Sequence, residues 1–142
     1  MSALQIVLDT NVLVAGLRSN RGASFQLIDL VNTGRFQINL SVPLVMEYES
    51  VLRRELPNLS VSPSVVEALL DFHCDVANRH RIFFLWRPFL PDPKDDMVLE
   101  LAVKASCDVI VTHNGRDFRG VEQAFGVNVL TPGAFLHKLG RP

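Results

Sequence analysis

With 142 residues, 48 % of them hydrophobic and 20 % charged, the chain has the size and make-up of one soluble globular domain and not of a disordered one. Lys and Arg (14) nearly balance Asp and Glu (15), which excludes a whole-molecule basic field for gripping polyanions; any phosphate affinity must be local or carried by bound cations. No apolar stretch approaches the roughly 20 residues of a membrane span and no leader segment is evident, so a single cytoplasmic domain over residues 1–142, with no membrane partner, is expected.

Leu4, Ile6, Val7 and Leu8 form a short apolar run suited to a strand buried on both faces, and it stops on Asp9-Thr10-Asn11. At the carboxyl edge of a parallel sheet, Asp9 would stand where open α/β folds keep their ligand crevices. The tripeptide also suits a plain turn, and the residues alone leave both readings open. Val12 to Leu17 starts a short helix, broken by Gly16, Asn20 and Gly22. The Gly16–Gly22 spacing is that of a phosphate-cradling loop, but no Lys follows it. Ala23 to Val31 reads as a helix closed by Asn32-Thr33-Gly34, and Phe36 to Leu40 as a second strand.

Ser41-Val42-Pro43 is a helix start, a capping hydroxyl followed by Pro in the first turn. The helix runs to about Glu55 with Leu44, Val45, Tyr48, Val51 and Leu52 on one stripe; Glu47 and Glu49 flank it on opposite sides, and periodicity does not choose between them. A polar connection, Pro57 to Pro63, precedes a helix from Ser64 to Asn78, and Ile82 to Trp86 reads as a third strand. Asp92-Pro93-Lys94-Asp95-Asp96 then puts three carboxylates directly before the helical run Met97, Val98, Leu101, Ala102 and Ala105. One acid suffices to cap a helix, so the adjacent Asp95 and Asp96 suggest that a cation is sought there. Asp108 to Thr112 is a fourth strand, ending in His113-Asn114-Gly115-Arg116-Asp117. A short helix from Asp117, a fifth strand at Val127 to Leu130 and a last helix from Thr131-Pro132 complete the chain.

This alternation predicts an α/β fold of three layers, α/β/α, around a mainly parallel five-stranded sheet. Asp9, the Asp92–Asp96 run and the cluster after the fourth strand then share one sheet edge. Carboxylates gathered there cannot all stay ionised without a cation, and a hard, oxygen-seeking ion such as Mg2+ or Mn2+ fits them. Cys74 and Cys107, both placed in helices, and the scattered His residues have no zinc-ligand spacing.

At this point the chain resembles the PIN-domain nucleases, and most of all the VapC-like toxins of prokaryotic toxin–antitoxin pairs. Four segments carry the resemblance in order: Asp9-Thr10-Asn11; Ser41-Val42-Pro43 with Glu47; Asp92-Pro93-Lys94-Asp95-Asp96 with Leu99-Glu100-Leu101-Ala102; and Val109 to Asn114 with Asp117-Phe118. The resemblance implies Asp9, Glu47 and Asp95 as catalytic, metal-binding acids, with Asp96, Asn114 and Asp117 as further metal candidates. It thereby selects Glu47 over Glu49. Asn114 stands where the family often has a fourth acid, and Asp117 reads more simply as a helix cap. Thr10, Asn11 and Thr112 are candidates to orient the carboxylates. Arg18, Arg87, Lys94 and Arg116 are candidates to contact RNA, as are Arg21 and Arg119, although any one of them reads more simply as solvated surface charge.

The implied activity is hydrolysis of RNA to a 5′-phosphate and a 3′-hydroxyl with one or two Mg2+ or Mn2+ ions, the enzyme being a toxin restrained by a small antitoxin and, as is common in the family, a homodimer. Two alternatives stand beside it: a PIN nuclease of RNA processing without antitoxin, and a weakened PIN fold serving as an RNA-binding or docking module.

Overall fold

The computed structural model describes residues 3–82 and 88–140. Five parallel strands form one sheet: β1 (Leu4–Leu8), β2 (Phe36–Ser41), β3 (Asn78–His80), β4 (Val109–Val111) and β5 (Asn128–Leu130), in the order β3-β2-β1-β4-β5. β1 is central, with Ile6 opposite both Ile38 and Val109. Ile6, Val7 and Leu8 are all buried, as are Val109, Ile110 and Val111. Successive strand residues point to opposite faces, so a fully buried run requires both faces to be covered.

The cover consists of α1 (Thr10–Arg18), α2 (Ala23–Asp29), α3 (Val42–Glu55), α4 (Pro63–Val76), α5 (Pro93–Lys104), α6 (Val121–Phe125) and α7 (Pro132–Lys138), giving the three-layer α/β/α fold. α5 packs against β1, β2 and β4, α4 against β2, and α7 against β5 and α2. No helix among the described residues is long and apolar enough to cross a membrane.

Several local starts follow directly from side-chain chemistry. Asp9 caps α1, its carboxylate accepting the Thr10 N–H at 2.9 Å, so the helix begins at Thr10 and not at Val12. Ser41 caps α3, with Pro43 in the first turn, and Thr131 caps α7. Gly16 has a packing role: a Cβ there would lie 2.3 Å from Ile28 Cδ1 and 3.3 Å from the Ser24 backbone, so its bare α-carbon lets α1 and α2 meet closely.

The third strand differs from expectation. α4 ends at Val76, and the chain pairs with β2 at once, Asn39 opposite Asn78 and Ser41 opposite His80. Ile82 lies outside any strand, while 83–86, the rest of the apolar run, and Arg87 lie outside the described residues. β3 is an edge strand held by polar side chains. Asn39, itself buried, accepts from His80 Nε2 at 2.9 Å through its Oδ1, and Gln5 Oε1 accepts from both Asn39 and Asn78 at 3.0 and 3.1 Å. Hydrophobicity does not mark such a strand. Cys107 lies between α5 and β4, buried, and not in a helix; Cys74 is half-buried in α4.

Candidate active site

From β1 the chain steps outward to β2 and β3, then returns to the other side of β1 to form β4 and β5. The order reverses between β1 and β4, and at the carboxyl ends of those strands such a reversal opens a crevice. A cleft of about 350 Å3 lies there, lined by Asp9, Glu47, Asp95, Asn114 and Asp117 among others. Residues from α1, α3, α5 and the segment after β4 thus face one space.

Asp9 is the most constrained of them. Its carboxylate accepts from Thr112 Oγ1 at 2.8 Å and Asn11 Nδ2 at 3.3 Å, besides the Thr10 N–H. Thr112, fully buried, also accepts from Asn11 Nδ2 at 3.2 Å and the Asn114 N–H at 3.1 Å, and Asn11 Oδ1 accepts the His113 N–H at 3.1 Å. A buried carboxylate is thereby aimed into the crevice by both strand ends. The Tyr48 hydroxyl, donated to the Leu8 carbonyl, fixes α3 against the same strand end.

Glu47 and Glu49 part ways. Glu47 lines the crevice and pairs with Lys94 Nζ at 3.7 Å, whereas Glu49 pairs with Arg53 one turn along at 3.6 Å, away from it. Glu55 also faces the crevice, paired with Arg18 at 3.3 Å. It was not singled out from the sequence, although Glu47, Val51 and Glu55, four residues apart, form one helical row.

Asp92 caps α5 through the Lys94 N–H at 2.9 Å and faces the crevice beside Asp95. Asp96 is turned elsewhere: it accepts the Phe89 and Leu90 N–H groups at 3.2 and 3.0 Å, tying the preceding loop to α5, and is absent from the crevice lining. Asp117 is not a helix cap. It sits in a 3-10 turn, Gly115–Phe118, whose cap position is Asn114, and both face the crevice.

The crowding has an electrostatic cost. Burial raises the Asp9 carboxyl above its ordinary range, and Asp117 and Glu47 add to this against the bonds from Thr112 and Thr10. Asp95 is pushed up to about 7 by burial first, then by Asp9, Asp92, Asp117 and Asp96. Among the described residues no three His, Cys, Asp or Glu side chains already stand as a metal-ligand set. Hard oxygen donors under mutual repulsion nevertheless suit a divalent cation, which would relieve the excess charge. Of the expected phosphate contacts, Arg18 and Lys94 are engaged with Glu55 and Glu47, while Arg116 is exposed in the next cleft along.

A sequence profile of the PIN domain matches residues 5–116, well over half of the chain and spanning every residue of this crevice but Asp117. No curated protein shows significant similarity to the chain.

Proposed function

Because the chain belongs to the PIN-domain family, a nuclease-type fold, we propose that it hydrolyses RNA phosphodiester bonds with Mg2+ or Mn2+ and acts as the toxin of a toxin–antitoxin pair. The observation that carries the reading is the sharing of one crevice, at the sheet's reversal point, by Asp9, Glu47 and Asp95. Asp117 and the neutral Asn114 flank them. When bound, a divalent ion supplies an acidified water and neutralises the phosphate under attack.

The chain's own part is to place the oxygens. Thr112, Asn11 and the Thr10 N–H hold Asp9 in one orientation before any ion arrives. Lys94 holds Glu47 until a stronger cation competes for it. Near pH 7 Asp95 is poised between its two protonation states, so it exchanges its proton for an ion at little cost. Arg116 stands beside the crevice, where the flanking phosphates of a strand would run.

Purified protein is expected to cut single-stranded RNA in Mn2+ and not in EDTA, with Asp9→Asn reducing the rate by more than about a hundredfold. Cleavage that survives Asp9→Asn would mark a contaminant and refute the reading. The toxin role predicts growth arrest on induction, relieved by an adjacent small reading frame; a nuclease of RNA processing would give neither.

A further inference from the structure

Beside the acidic crevice lies a second cleft of about 470 Å3, which shares Asp92, Asp95 and Asp117 with it. Its other lining differs in kind: Phe89 with Leu90 and Pro91 from the loop before α5, and Arg116 and Arg119 from the segment after β4. Phe89 is 43 % exposed, large for an aromatic ring with a core nearby. It is nevertheless held in place. Its ring meets Phe125 edge to face, centroids 5.1 Å apart at 80°, and its tip lies 3.5 Å from where a Cβ on Gly120 would stand. Gly120 has φ +88°, a conformation that also favours glycine. The Phe89 N–H is fixed by Asp96.

We infer that this cleft binds an unstacked nucleobase of the RNA next to the bond that is cut, with Phe89 as the stacking surface and Arg116 and Arg119 on the adjoining phosphates. The inference rests on the nuclease reading and adds a substrate subsite to it. An exposed, immobilised ring gives every base a face to stack on, and flanking guanidiniums neutralise the strand that carries it. A volume of this size is typical of clefts for small organic groups, about 300–1,000 Å3. Continuity with the carboxylates sets the base and the reacting phosphate on one strand. Arg116 and Arg119 line only the outer cleft, Asp9 and Glu47 only the inner one, and Asp92, Asp95 and Asp117 lie on both, which matches a polyanion whose central phosphate alone is served by a metal ion.

The test uses an Asp9→Asn background, which the nuclease reading expects to leave strands uncut, and a single-stranded oligoribonucleotide carrying 2-aminopurine, whose fluorescence falls on stacking. The parent should bind with quenching. Phe89→Ala and Phe89→Leu should each weaken binding about tenfold or more and abolish the quench, while Phe89→Tyr retains both. The Phe89 effect should vanish on a strand with abasic sites in place of its bases. Matching thermal melts show that the variants fold, and Phe89→Leu keeps the apolar bulk. A parent that does not quench, or Phe89→Ala with the parent's affinity, overturns the inference. With native Asp9, Mn2+-dependent cleavage alongside parent-like binding by Phe89→Ala sinks the base subsite alone. A Phe89-dependent quench without cleavage sinks the nuclease reading and upholds the subsite.

Discussion

Of the three groups that hold Asp9, the Thr112 hydroxyl is the one that joins it to the far strand. Thr112 Oγ1 donates to the carboxylate and accepts from Asn11 and from the Asn114 N–H, so a hydroxyl with no exposure of its own uses its full bonding capacity. Thr112→Val keeps the shape and removes every one of these bonds. It should cost about 1–3 kcal/mol in urea unfolding and lower Mn2+-dependent cleavage about tenfold or more, while Thr112→Ser stays near the wild type on both. Equal loss in Val and Ser would assign the residue to packing instead. The Thr112–Asp9 bond joins residues 103 apart, so no local pattern in the chain could announce it. Asp9 itself was legible as a charge ending an apolar strand, whereas helical periodicity left Glu47 and Glu49 equal, because both flank the stripe that packs, and only the family resemblance chose between them. Asp96 misled for a related reason: an acid beside a helix start serves the loop's N–H groups as readily as an ion.

At the scale of elements, α1, which Asp9 caps, packs closely against α2. Gly16 leaves room for the Ile28 side chain and the Ser24 backbone to approach, and a methyl group there would meet Ile28 Cδ1 at 2.3 Å. Ile28 can swing aside, but the backbone contact at 3.3 Å has little to give. Gly16→Ala is therefore expected to destabilise by about 1–3 kcal/mol despite the higher helix propensity of Ala, read as a lower urea midpoint. A rise in stability would mean that the helices separate freely. Of the two glycines whose spacing resembled a phosphate loop, Gly16 thus serves the helix contact and Gly22 precedes α2 at its cap position. The buried strands, caps and Pro-led helix starts were readable because each is set by neighbouring residues. β3 was not, because its pairing is made by Gln5, Asn39, Asn78 and His80 across three strands, a set that only the folded sheet assembles.

Taken as a whole, the molecule carries two shifted titrations that oppose each other, one at the half-buried Asp95 and one at the buried His73. Asp95 releases its proton near 3.8 when unfolded but near 7 when folded, so between these values the folded form alone keeps it and rising pH favours unfolding. His73 lies in the core of α4 with neither ring nitrogen hydrogen-bonded among the described residues, and burial lowers it to about 4 from 6.5. Between those values the unfolded form alone is protonated, so falling pH favours unfolding. The two windows overlap from about 4 to 6.5 with opposite slopes, and Asp9, also raised, leans the same way as Asp95. Removing either member should therefore expose the other. In EDTA, urea midpoints measured at intervals across this window should climb with pH more steeply for Asp95→Asn than for the wild type, and fall with pH for His73→Leu relative to it. Parallel profiles for all three would refute the opposition. Protons and a divalent ion compete for Asp95, so Mn2+ should stabilise the wild type more at pH 8 than at pH 5.5. That difference should shrink in Asp95→Asn, because a carboxamide has no proton to exchange; an undiminished difference would remove Asp95 from the ion's binding site.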